Sequence, residues 1–135
     1  MNTVLITDEQ FMKSDAYKKF MDTNSDNGYL KIQASKANNA MPVSGVQIII
    51  SHIIDNYKVI FFEGETNESG IIEEISLPVP KKDSNDLNIP LSTTYNIEAI
   101  YTKDNMDSLY KAKLFSGVCA VQNIDVVPNI ESWEI

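Results

Sequence analysis

The chain contains no arginine. Its eleven basic side chains are all lysines, set against nineteen carboxylates, and the formal net charge is −8. Arginine forks dominate the reading of bases and phosphates, so this composition argues against nucleic acid as a partner. The same acidic balance argues against an anionic membrane surface. No apolar run approaches the roughly 20 residues that span a bilayer, which argues against membrane insertion. The opening stretch, MNTVLITDEQ, lacks the basic region and long apolar segment of a signal peptide. The expectation is therefore synthesis and retention in the cytoplasm until the chain is assembled into a particle or released. A single cysteine, Cys119, excludes an internal disulfide framework.

Reactive groups are equally sparse. His52 is the one histidine, which leaves no histidine-rich metal site. Its parity with Ile48 and Ile50, near the end of a predicted strand, makes it a rim histidine, hydrogen-bonded or solvated. Cys119 lies in a Val-Cys-Ala-Val run with no basic neighbour to lower its pKa, and is expected to be an inert buried thiol. Glu63, Glu65, Glu68, Glu73 and Glu74 gather around one hairpin end. Paired carboxylates could do acid–base work, but a solubilising acidic patch accounts for them equally well. The glycines are isolated, and nothing resembles a phosphate loop. Asp22 to Gly28 superficially matches a calcium loop. Its glycine comes one residue late, and Gln33 stands where a bidentate Glu should close the site, so a polar helix stop with Gly28 near the C-cap is expected instead. The expectation is a protein that is not an enzyme and carries no cofactor, metal or calcium.

What the sequence does hold is pattern. Its 135 residues suit one domain. Thr7-Asp8-Glu9-Gln10 has the form of a capping box, predicting one helix from about Asp8 to Met21 with Thr7 as N-cap. Met12, Ala16, Tyr17, Phe20 and Met21 share one side of it, and Phe11 falls off that stripe. From Tyr29 onward the signal is β: Leu30, Ile32 and Ala34 alternate, and a polar link follows to Met41. Pro42 to Gly70 reads as one long hairpin crossing at Asp55-Asn56 and ending in the turn Asn67-Glu68-Ser69-Gly70. Ile71 to Leu77 forms a strand, broken by Pro78-Val79-Pro80 and a polar loop over 81–90. Thr93 to Tyr101, then Tyr110 to Leu114, then Val118 to Val127 complete about seven short strands, the signature of an antiparallel sandwich.

Four segments follow a common pattern: Leu30-Lys31-Ile32; Pro42-Val43-Ser44-Gly45-Val46-Gln47-Ile48; Thr66-Asn67-Glu68-Ser69-Gly70; and Tyr95-Asn96-Ile97-Glu98-Ala99. Together they resemble the carboxypeptidase regulatory-like domain, a transthyretin-related β-sandwich, over roughly residues 28–127. Asn67 stands where that family more often has Asp. Leu91-Ser92-Thr93-Thr94 replaces its usual Pro-Gly turn. A weaker similarity is to the amino-terminal pro-region of spore cortex-lytic enzymes. The resemblance implies a mainly β fold, a seven-stranded antiparallel sandwich of the transthyretin/prealbumin or immunoglobulin-like kind, to which the capping box adds one amino-terminal helix. It implies no catalytic residues, since such domains are non-enzymatic accessories.

The expected division is an arm and helix over 1–27, a sandwich over 28–128 and a carboxy-terminal arm over 129–135. Both arms carry apolar residues where free termini are usually polar and frayed. Val4, Leu5, Ile6, Phe11, Ile130, Trp133 and Ile135 are therefore the candidate partner-docking residues, with Trp133 singled out because Trp is enriched at interface hot spots. The expected function is a structural or interaction module, a subunit or accessory of a larger bacterial or phage-type particle, working through protein partners or self-assembly. The alternative is a regulatory or pro-domain-like partner of an envelope or spore-cortex hydrolase. A sugar- or calcium-binding adhesion module ranks third.

Overall fold

In chain order the elements are β1 (Asn2–Leu5), α1 (Glu9–Met12), α2 (Asp15–Thr23), β2 (Asp26–Lys36), β3 (Met41–Pro42), β4 (Gln47–Ile54), β5 (Tyr57–Glu65), β6 (Ile71–Val79), β7 (Ser92–Tyr101), β8 (Met106–Phe115) and β9 (Cys119–Asp125). This is a computed structural model, and it describes residues 1–37, 40–82 and 92–127. Five strands form one sheet in the order β1-β5-β4-β7-β8. The second sheet is built on β2, which pairs with β6 and β3 and also with β9.

Period-2 alternation puts one face of each strand between the sheets. Leu30 and Ile32 from β2, Ile48 and Ile50 from β4, Ile97 from β7 and Ile124 from β9 are fully buried there. The central hairpin turns as its residues dictate. Asp55 and Asn56 take φ of 48° and 64°, the two positive values that a two-residue turn matched to strand twist requires. A bulge follows: Ile50 pairs with Phe62 but Ser51 pairs with Ile60, leaving Phe61 as the extra residue. Phe61 and Phe62 both pack on the core as a result, which accounts for the apolar residues on successive positions of β5.

The turn at the hairpin's far end is pinned by side chains. Thr66 is buried; its hydroxyl donates to the Val43 carbonyl (2.8 Å) and accepts from the Val46 amide (3.0 Å). Asn67 Oδ1 accepts from the amides of Ser69 and Ile71, at 2.9 and 3.0 Å. An amide oxygen does here what a carboxylate oxygen would do, so Asn substitutes for Asp without loss of the turn. Gly70 closes it with φ 75°, and an added Cβ would lie 2.3 Å from the Ala34 carbonyl oxygen.

Several expectations are corrected. The predicted single helix is two. Asp8, rather than Thr7, caps α1 by accepting from the Phe11 amide (3.0 Å), and Ser14 caps α2 by accepting from the Tyr17 amide (3.2 Å). Ser14 also donates to the Phe11 carbonyl, drawing the backbone out of one helix and into the next. Among the described residues the strands number nine, and the sheets are mixed, because β1 runs parallel to β5 and β9 runs parallel to β2. Alternation reports a strand but carries no information about its partner's direction. The segment Asn2–Leu5, read as an arm, is an edge strand, and Val4 and Ile6 pack with Phe11, Ile54 and Val59 in a second core under the helices. Gly28 is no C-cap. It is buried within β2, where a Cβ would meet the Phe115 carbonyl oxygen at 2.9 Å. Cys119 is exposed, since β9 turns Ile124 and Val126 inward and the odd positions Cys119 and Val121 out. The expected loop over 81–90 falls mostly on 83–91, and the carboxy-terminal arm on 128–135; both lie outside the described residues.

Candidate functional site

Two surfaces stand out. The first is a cleft of about 820 Å³ where α2 passes the end of β4 and the start of β7. Phe20 from α2, Ile54 from β4 and Pro80 form apolar walls; Asn24, His52 and Thr93 lie between them, and the charged Asp15, Lys19 and Asp55 also line the cleft. Asn24 is buried because its work is internal: its side-chain amide donates to the Phe20 carbonyl (2.9 Å), and its oxygen accepts from the Thr93 hydroxyl. This ties the end of α2 to β7.

His52 sits at the rim as its parity predicts. Its Nδ1 lies 2.8 Å from the Thr94 carbonyl oxygen, and its ring centroid is 5.5 Å from those of Phe20 and Tyr95. A carbonyl only accepts, so Nδ1 carries the hydrogen of this bond. Thr94 contributes its carbonyl rather than its hydroxyl, so this contact pairs the histidine with no nucleophile. Beneath lies Tyr95, fully buried, with its hydroxyl donating to the Pro78 carbonyl and its ring 5.2 Å edge-on to Phe61. Burial pushes the Tyr95 hydroxyl far above the ordinary tyrosine range. The cleft can hold a ligand against the Phe20 ring, with His52, Asp15, Lys19 and Asp55 as its polar contacts. Among the described residues no group of three or more His, Cys, Asp or Glu side chains is placed to bind a metal. In the imperfect calcium loop the side-chain oxygens of Asn24 and Asp26 are engaged in hydrogen bonds. Asp26 accepts from the Ser116 hydroxyl and the Asn27 amide, in that order the causes that hold its carboxyl below the usual range.

The second surface is the outer face of the five-stranded sheet. Register places Leu5 of β1, Ile60 of β5, Ile49 and Ile53 of β4, Ile100 of β7 and Leu109 of β8 together on it. Leu109 is 64% exposed, and Ile53 and Leu5 50% each. Lys58 Nζ reaches 2.6 Å from Glu98 Oε1, crossing β4 from β5 to β7. The serine beneath it, Ser51, is buried although it points outward. Ser51, Lys58 and Glu98, with Ile53 and Leu109, line a depression of about 440 Å³ on this face. Three lysines (Lys58, Lys111, Lys113) oppose four carboxylates (Glu63, Glu65, Glu98, Asp107) there, on a chain of net charge −8.

The candidate docking residues divide. Phe11 is buried against Tyr17 and Tyr57, with ring centroids at 5.9 and 6.0 Å, and has no surface left to offer. Val4 and Ile6 are half-buried in the same cluster. Leu5 alone of the described candidates is exposed, and it joins the outer face. Ile130, Trp133 and Ile135 lie outside the described residues. Residue-level reading missed the outer face as a unit, though Leu109 carried a signal: it is apolar at the position that breaks the alternation of Tyr110, Ala112 and Leu114. Among the described residues no helix is long and apolar enough to cross a membrane.

The architecture is that of a transthyretin-like β-sandwich. Among solved structures it is similar to the Klebsiella pneumoniae 5-hydroxyisourate hydrolase, with a TM-score of 0.50 and 14% identity over 76% of this chain and 91% of that one. It is also similar to part of the Bacillus anthracis TIE protein, with a TM-score of 0.50 and 20% identity over 74% of this chain. The chain spans only 16% of the length of that protein. No protein-family model and no curated protein sequence matches the chain. One neighbour is thus a hydrolase, and the fold by itself does not decide whether this chain is an enzyme.

Proposed function

We propose that this chain is a non-catalytic interaction module, a β-sandwich subunit or accessory of a larger bacterial or phage-type particle. The observation that carries the reading is the outer face of the five-stranded sheet. It gathers exposed Leu5, Ile53 and Leu109 around a nearly neutral charge set, on an otherwise acidic chain. Leu5 and Leu109 lie on the two edge strands with Ile53 on the central one, so the face offers apolar contacts across its full width. In this reading the protein is made in the cytoplasm and carried in the particle, and Ile130, Trp133 and Ile135 supply a further anchor.

Leu109→Asp tests it. The side chain is exposed, so the melting temperature should hold, while incorporation into the particle formed with the products of neighbouring genes should fail. Incorporation at the wild-type level would refute the use of this face. A chain ending at Pro128 tests the second anchor in the same way.

The Thr66 to Gly70 turn favours a second reading. It is a main point of likeness to carboxypeptidase regulatory-like domains, which suits an accessory partner of a cell-envelope or spore-cortex hydrolase. A defined one-to-one complex with such an enzyme, in place of a symmetric assembly, would select it.

A further inference from the structure

The charges on the outer face are sorted along the strands. At one end, Glu65, Gln47, Ile100 and Asp107 form a single row across four strands, since Gln47 pairs with both Glu65 and Ile100, and Ile100 with Asp107. The next row holds Glu63, Ile49, Glu98 and Leu109, and the third Ile60, Ser51, Asn96 and Lys111. Beyond it, at the other end, Lys58 lies opposite Ile53 and Lys113 opposite Thr94. Carboxylates thus occupy two rows and lysines the other two, with the Lys58–Glu98 bridge spanning the boundary.

We propose that a second copy of this chain covers this face, the two sheets stacking with their strands antiparallel about a two-fold axis that runs across the strands between Ile49 and Ser51. This rests on the interaction-module reading and names the partner. The rotation carries each row onto its mirror row. Lys113 comes to face Asp107 of the other copy, a pair that occurs twice, while the Lys58 ammonium stays on Glu98. The rows between them bring Ile49 over Ser51 and Lys111 over Leu109. A face sorted in this way is complementary to itself in this orientation, and it sets like charges opposite each other when the strands stack parallel. Its size also fits. Five strands about 4.8 Å apart and roughly eight residues long at about 3.3 Å each present some 600 Å² per copy, or about 1,200 Å² in all, the lower end for a specific interface. Two aligned sheets stack about 10 Å apart, a spacing that apolar side chains such as Ile49, Ile53 and Leu109 fill.

Sedimentation equilibrium on the full chain tests this. The wild type should have twice the 15.2 kDa chain mass at micromolar concentration. Lys113→Glu alone and Asp107→Lys alone should each weaken the dimer by at least about tenfold, because each makes two like-charge pairs. The double reversal should restore it, since the reversed residues face each other across the axis. Three results overturn the proposal: a wild type of single-chain mass, a dimer indifferent to both reversals, or weakening that the double reversal does not rescue. Particle incorporation of Leu109→Asp then separates the two claims. A monomeric wild type whose incorporation still needs Leu109 retires the second copy and keeps the interaction face; loss of both retires the face itself.

Discussion

Tyr95→Phe should make the protein less stable at neutral pH and more stable at high pH than the wild type. Tyr95 is fully buried and donates its hydroxyl to the Pro78 carbonyl, so the ring can stay while the bond is lost. Leaving that carbonyl without its donor should cost about 1–1.5 kcal/mol near pH 8. The alkaline limb has the opposite sign. Burial raises the folded-state pKa of this hydroxyl far above its value of about 10 in the unfolded chain. Above pH 10 the unfolded state releases a proton that the folded state keeps, so stability falls with pH by up to about 1.4 kcal/mol per unit. One unit past the unfolded pKa, near pH 11, this loss is also about 1.4 kcal/mol and cancels the hydrogen-bond advantage. Phenylalanine has no proton to lose. Urea denaturation of both proteins at intervals from pH 8 to pH 11.5 should therefore give stability curves that cross near pH 11. Lysine titration acts on both alike and drops out of the difference. Parallel curves that never cross would refute a buried, hydrogen-bonded Tyr95.

Ile48→Ala, at a fully buried position of β4, should cost about 2–5 kcal/mol by chemical denaturation, and a wild-type midpoint would contradict the hairpin core. Gly70→Ala combines φ of 75° with a Cβ 2.3 Å from the Ala34 carbonyl oxygen, so a loss beyond about 1 kcal/mol is expected, and neutrality would mean that the Thr66 turn adopts another form. Ser14→Ala removes the cap between α1 and α2 and should cost about 1 kcal/mol, read as a lower melting temperature. Millimolar calcium should leave the melting temperature where a chelator leaves it, because Asn24 and Asp26 already spend their oxygens on Thr93 and Ser116; a rise of several degrees would show the Asp22 to Gly28 segment to be a real site.

The candidate site was legible in pieces. His52 reads correctly as a rim residue because strand parity and proximity to a turn are local properties. Lys58 and Glu98 are forty residues apart in sequence and meet only because β5 and β7 flank β4, so no spacing pattern announces their bridge. Phe11 looked available for docking because it lies off the helical stripe. The break at Ser14 turns α1 separately, and Phe11 is thereby aimed at Tyr57.

The residues by themselves determined seven of the described strands, β2 and β4 to β9, through alternation, and the turns, through the positive φ that Asp55, Asn56 and Gly70 adopt. Packing alone decided the rest. It set β1 and β9 parallel to their partners, placed Cys119 on the outside, closed a second core under the helices, and sorted the lysines and carboxylates of one sheet face to opposite ends. The reason is that alternation has a period of two residues and reports only that a strand has two sides. Which strand lies beside it, in which direction, and which side meets the core are set by burial of apolar surface across the whole chain.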